Sequence, residues 1–365
     1  MTEERKPHPR VEGIEDFATL MSCLDYRLDD FGINRTNKHT YVDRLRVRVE
    51  RGQYRVVHLS FLRPLGIAVA AGVVEDRELQ AVIRTSGFVD NSMLEKLGVP
   101  KPHLAWNIIM LNDGRLFVSW YKPIGMGFDD VRGWVEERGE WLGTGWKLPV
   151  HTCLPRPREE DIPLLAKRFN ELLAQPLLRI RAPIIAYILV ALLDKYPLAP
   201  LRQIASLSMV AAARDLDNWL RHVGITERLR WRFIYRYYRT LSTHYVVGRY
   251  RLIYPTQLQR GLPILVEGHA DMAEQLYGVF ALFKGAHMFL TEKQVIATLR
   301  LPPEDAARLM ALINRIGGRI GSYSKVYHFP LPFEYYDPIE NRWREERVDE
   351  IPSALRKLRY IISST

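Results

Sequence analysis

Ala105-Trp106-Asn107-Ile108-Ile109-Met110-Leu111-Asn112-Asp113-Gly114-Arg115-Leu116-Phe117-Val118-Ser119-Trp120-Tyr121 is the stretch whose reading decides the fold. Two runs of apolar and aromatic residues flank Asn112-Asp113-Gly114, a trio suited to the positive φ of a tight turn. The expectation is a β-hairpin with strands over 105–111 and 115–121. Working outward, 67–74 reads as a strand and 75–87 as a helix. On the far side, 128–138 reads as a helix and 144–151 as a strand. Over 66–151 the order is βαββαβ, the ferredoxin-like motif.

The same order recurs downstream. Strands are expected over 262–268, 286–290, 294–301 and 320–329, with a helix over 271–283. A second helix opens at Pro302-Pro303-Glu304-Asp305 and ends at Gly317-Gly318, with proline early and acids in the first turn. Ahead of each series, Gly32-Ile33 and Gly224-Ile225 precede a basic helix and then a strand. This internal repeat predicts an α+β chain of two repeated halves, each a winged helix-turn-helix followed by a ferredoxin-like βαββαβ domain. The expected boundaries are 1–62 and 156–258 for the winged-helix units, 63–155 and 259–332 for the ferredoxin-like domains, and 333–365 for a C-terminal extension. Pro149, Pro155, Pro157 and Pro163 punctuate the main boundary. Further helices are expected over 163–174, 183–195, 201–221 and 352–362.

The 365 residues carry a formal charge of +10, and only 12 of the 52 basic residues are lysine. A basic, arginine-rich balance favours phosphate-bearing partners. At 47% hydrophobic and 26% charged the chain is a folded, globular one. Cys23 and Cys153 lie far apart, and no two of the ten histidines stand at i,i+3 or i,i+4, so neither a disulfide scaffold nor a metal site is expected. The longest apolar run, 183–193, is too short for a bilayer, and the N-terminus does not read as a signal peptide. The expected place is the cytoplasm, with no membrane contact.

Two helices concentrate the positive charge. The first begins Arg35-Thr36-Asn37-Lys38-His39-Thr40, with Thr36 as a candidate cap, and buries Tyr41, Leu45, Val49 and Val42 on one face. Arg35, Asn37, Lys38, His39 and Thr40 sit where a recognition helix touches base edges, while Arg44, Arg46 and Arg48 are placed for phosphates. The second helix, 226–241, sets Leu229, Phe233, Tyr237 and Leu241 on an apolar stripe. Arg228, Arg230, Arg232, Arg236 and Arg239 fall largely on its other faces, and Arg249 and Arg251 follow on a wing strand. Like charge at this density repels itself, and a polyanion would relieve it.

With Phe31-Gly32-Ile33-Asn34-Arg35-Thr36 before the helix and Arg63-Pro64-Leu65-Gly66 before the first strand, residues 14–151, and more loosely 183–330, resemble the archaeal Lrp/AsnC-type (feast/famine) transcription regulators. The resemblance implies a sequence-specific regulator of double-stranded DNA. A tandem copy implies an internal pseudo-dimer with two sheets packed together, or a homo-oligomer. It leaves room for a small-molecule effector, although the family's glycine-rich pocket signature is missing. No cofactor is expected and no enzyme: Gly125-Met126-Gly127 and Gly317-Gly318-Arg319-Ile320-Gly321 match no phosphate loop or dinucleotide fingerprint. A tandem winged-helix replication or chromatin factor and a protein–protein scaffold are the alternatives. Arg221-His222 with Tyr235, Tyr237 and Tyr238 makes a tyrosine recombinase the remote one.

Overall fold

Ile67-Ala68-Val69-Ala70-Ala71-Gly72-Val73-Val74 carries no polar side chain, and all eight residues are buried. A strand of this composition needs cover on both faces. In the computed structural model it has helices on one side and the interior of a β-barrel on the other. The structure describes residues 10–21, 31–58, 60–150, 154–180, 183–195, 231–244, 251–256, 260–283 and 286–348, with isolated positions between 214 and 246.

The described elements begin with α1 (Ile14–Met21), α2 (Arg35–Glu50) and β1 (Tyr54–His58). The first series is β2 (Ile67–Val74), α3 (Arg77–Thr85), α4 (Asn91–Lys96), β3 (Ala105–Leu111), β4 (Leu116–Pro123), α5 (Asp129–Glu136) and β5 (Gly139–Val150). Next come α6 (Ile162–Leu173), α7 (Pro183–Lys195), α8 (Trp231–Thr243) and β6 (Arg251–Pro255). The second series is β7 (Leu262–His269), α9 (Ala273–Phe280), β8 (Ala286–Thr291), β9 (Gln294–Leu301), α10 (Pro303–Ile316) and β10 (Arg319–His328), and a hairpin of β11 (Tyr336–Asp337) and β12 (Arg342–Trp343) follows. The α+β class and the two βαββαβ orders are therefore present, with α4 as an addition that the sequence reading lacked.

Where two packed sheets were implied, eight antiparallel strands form one closed barrel in the order β10-β3-β4-β2-β5-β8-β9-β7. Closure depends on the two longest strands. Gly139 to Gly145 of β5 pair with β2, and Gly145 to Val150 then pair with β8 of the other series. Arg319 to Ser322 of β10 pair with β7, and Tyr323 to His328 pair with β3. β5 therefore starts at Gly139 rather than at 144: its first half is a partner of β2 that apolar patterning alone did not reveal. Glycine makes the crossing possible. Gly143 has φ +100°, and a Cβ at Gly145 would lie 1.8 Å from the Leu290 carbonyl oxygen. The hairpin at 112–114 forms as read, with Gly114 at φ +93° and Asp113 Oδ1 accepting from the Arg115 N–H.

Local corrections have local causes. Asn34 caps α2, not Thr36: Asn34 Oδ1 accepts from the Asn37 N–H at 2.9 Å. On α2, Val42 and Leu45 are buried and join Phe17, Ile33 and Tyr54 in a small separate core. On α8 the buried stripe is Ile234, Tyr237, Tyr238 and Leu241. It packs, with α7, into the same core as β2–β5. The helix expected over 201–221 falls almost wholly outside the described residues, and the one over 352–362 lies outside them entirely.

The chain after β10 straps across the first series. The ring of Tyr335 stacks on His103 at 4.1 Å, and Glu345 pairs with Lys101, which also meets Asp130. Burial beneath the strap holds His103 down at about 4; the nearby Glu345 opposes this and Lys101 adds to it. The unfolded histidine binds its proton first, so the contribution is intact above pH 6.5 and is lost as the pH falls toward about 4.

Two outcomes follow for stability. Gly145→Val should lower the unfolding free energy by about 3 kcal/mol or more in urea, whereas Gly133→Ala, in open space on α5, should raise it by up to about 1 kcal/mol. Equal effects of the two would contradict the crossing at Gly145. Between pH 6.5 and about 4 the wild type should lose stability more steeply than His103→Gln. Parallel curves would show that the buried imidazole is not responsible.

Candidate functional site

The second halves of β5 and β10 bring two seams to one mouth of the barrel. At one seam Lys147 faces Phe289 and Pro149 faces His287. At the other Val326 faces Ile109 and His328 faces Asn107. All eight residues line one cavity of about 320 Å³. Val190 and Ala191 of α7, with Leu62 and Leu331, complete its apolar wall. The volume suits a small organic molecule.

The floor is aromatic. Trp106 stacks on Tyr121 at 4.2 Å, and Phe289 leans on Phe117 at 5.1 Å. The Tyr121 hydroxyl donates to the Phe329 carbonyl at 2.9 Å, which spends its proton inside the protein. The Lys147 ammonium lies over this floor, 4.8 Å from the Trp106 ring and 5.7 Å from that of Phe289. Ring faces attract a cation, and these contacts set the ammonium at the edge of the cavity.

Asn107 is the unusual residue. It interrupts an otherwise apolar strand and is only 4% exposed. Its backbone N–H donates to Ser119 Oγ across the β3–β4 ladder at 3.2 Å. Its side-chain Oδ1 lies 3.1 Å from His328 Nδ1. An amide oxygen only accepts, so Nδ1 carries the proton and, in the neutral ring, Nε2 carries the lone pair. The other end of the same amide, Asn107 Nδ2, is buried with no hydrogen-bond partner. Ser60 Oγ, also on the cavity wall, is a second such atom. An unmade bond of this kind costs about 1–3 kcal/mol, and two of them in one cavity point to acceptors that a ligand brings.

The residues singled out from the sequence do not converge here. Lys38, His39, Thr40 and Arg44 are exposed on α2, and Asn37 is turned back, donating to the Gly32 carbonyl. Arg46 is held by Asp43 and Glu50. Arg35 starts α2 and Arg251 starts β6. Arg232, Arg236 and Arg239 are exposed on α8, and Arg228, Arg230 and Arg249 lie outside the described residues. The strands expected to act as wings, β1 and β6, pair with each other from Tyr54↔Pro255 to His58↔Arg251. Among the described residues no group of three His, Cys, Asp or Glu is placed to hold a metal ion, and no helix is long and apolar enough to cross a membrane.

No protein-family model matches the sequence, and no curated protein is similar to it. Among solved structures, the siroheme decarboxylase NirDL, crystallised with an iron-uroporphyrin III analogue, is similar over 95% of this chain and 99% of its own, at 13% identity and a TM-score of 0.40. That protein is an enzyme, and no transcription regulator accompanies it. The Lrp/AsnC-type assignment, the role as a sequence-specific DNA regulator and the expectation of a non-enzyme are accordingly withdrawn. At this identity and TM-score neither the fold nor the chemistry of that decarboxylase is carried over to this chain.

The orphaned amide makes a direct prediction. Asn107→Leu removes a buried unsatisfied donor and should leave the melting temperature unchanged or raise it, by about 1 kcal/mol in unfolding free energy. A loss of more than about 1 kcal/mol would mean that Asn107 serves packing.

Proposed function

We propose that this chain is an enzyme that binds a small organic acid with an apolar or aromatic body in the mouth of the barrel and moves a proton through His328. The single observation behind this reading is Asn107: one amide whose oxygen fixes the His328 tautomer and whose buried nitrogen awaits an acceptor. A side chain in that position couples ligand recognition to the group that does the chemistry.

The roles divide by chemistry. The Trp106 and Phe289 faces take the apolar body. Lys147 attracts the carboxylate, and Asn107 Nδ2 and Ser60 Oγ donate to its oxygens or to a neighbouring carbonyl. His328 Nε2 then stands as proton acceptor, with the Asn107 oxygen holding the ring as charge develops on it. His287, on the opposite seam, is a second titratable group at the rim.

We further read the two βαββαβ series, each preceded by a helix and a strand (α2–β1 and α8–β6), as two copies of one unit. A cavity between equivalent seams of two identical copies would carry every side chain twice. Here one seam presents His328 with Asn107 and the other Lys147 with His287. Unlike walls give a ligand one orientation, which proton transfer at a chosen atom requires.

The test uses aromatic and aliphatic carboxylates as ligands, followed by NMR saturation transfer on the full chain. Wild type should bind at least one aromatic carboxylate. Lys147→Met should weaken it by about tenfold, the worth of one charged contact. His328→Gln should keep binding and abolish exchange of the ligand's acidic C–H with deuterated water. Binding that is indifferent to Lys147 and Asn107 would refute the reading.

A further inference from the structure

A second concavity opens beside the barrel mouth and shares no wall residue with it. It is a cleft of about 840 Å³ with three walls: the 64–66 turn with the 177–180 segment, the Pro123–Gly127 loop, and the β11–β12 hairpin. Its floor is a packed aromatic trio. Tyr187 lies 4.7 Å from Tyr336 and 5.4 Å from Trp343, and the last two are 5.5 Å apart. The Tyr187 hydroxyl donates to the Leu65 carbonyl, and that of Tyr336 donates to Asn341. The floor thus offers ring surface and no free hydroxyl proton.

The walls mix two chemistries. Ile124 and Leu177 line the cleft while 56% and 54% exposed, large apolar side chains left in water. Arg179 and Arg342 stand with them, both exposed. Arg342 shares its charge with Glu340, and the cleft's own carboxylate, Glu345, is taken by Lys101. The net offering is an apolar trough with guanidinium at its edge. The loop at Gly125 and Gly127 leaves the trough open, since a Cβ at either glycine would meet nothing within 4 Å.

From this arrangement we infer a second binding site, for an amphipathic organic anion: its apolar body lies between Ile124 and Leu177 over the Trp343 ring, and its acidic head meets Arg179. Exposed apolar area explains the body and charge complementarity explains the head. The site is independent of the chemistry assigned to His328.

The probe is 8-anilinonaphthalene-1-sulfonate, an aromatic anion whose emission rises in apolar surroundings and accepts energy from tryptophan. With the full chain it should bind saturably, with transfer that falls when Trp343 is changed to Phe. Arg179→Glu and Ile124→Asp, both surface changes, should each weaken binding about tenfold or more, and Arg179→Lys should retain most of it. His328→Gln and Lys147→Met should leave the affinity unchanged. Affinity unaltered by Arg179→Glu and Ile124→Asp, absence of any binding, or dependence on Lys147 instead would each overturn the second site; the first two leave carboxylate binding in the barrel mouth untouched, and the third would place the probe in that mouth.

Discussion

The backbone hydrogen bonds of β5 and β10 are divided between two sheets, and the placing of every other group depends on that division. Each strand leaves its own series half-way and continues along the edge of the other. This removes both pairs of open sheet edges and closes the barrel. It also forces the side chains beyond the crossing to converge on one mouth. Lys147 and His328 are 181 positions apart in the chain yet line one cavity, because each lies past the crossing of its strand.

Closure and the site pull in opposite directions energetically. The barrel interior is filled with Phe117, Phe289, Ile109 and Trp106, all nearly or wholly buried. Into that filling the chain places an asparagine with an unsatisfied nitrogen and a lysine that lies over the Trp106 and Phe289 rings. A core selected for stability alone would carry leucine at 107. Both ladders of β3 shift register, between Ala105 and Asn107 against β4 and between Tyr323 and Lys325 against β10, while elsewhere in the barrel the β7–β9 ladder runs unbroken from Leu262↔Leu301 to His269↔Gln294.

Much of the fold was legible along the chain and little of the site was. The strands β3 and β9 occur where apolar patterning and the flanking turns put them, since burial of most of their residues leaves a largely apolar run. The crossing of β5 and β10 was not legible, because strand edges pair through backbone groups common to all residues. The structure shows close approaches at Gly143 and Gly145 that only glycine permits, but the apolar pattern does not single these residues out. Charge drew attention to α2 and α8, where Arg44, Arg232, Arg236 and Arg239 simply face water. The informative signal was weaker: single buried polar residues in apolar strands, Asn107 and Ser119 above all, depart from what packing alone asks of such strands.

His328 is where fold and chemistry meet, and its ring can be observed directly. Long-range ¹H–¹⁵N correlation of the ¹⁵N-labelled chain near neutral pH distinguishes a protonated ring nitrogen from a bare one. The account requires the proton on Nδ1, facing Asn107, with Nε2 bare and responsive to an added carboxylate ligand. A proton found on Nε2, or a ring that does not sense the ligand, would contradict it.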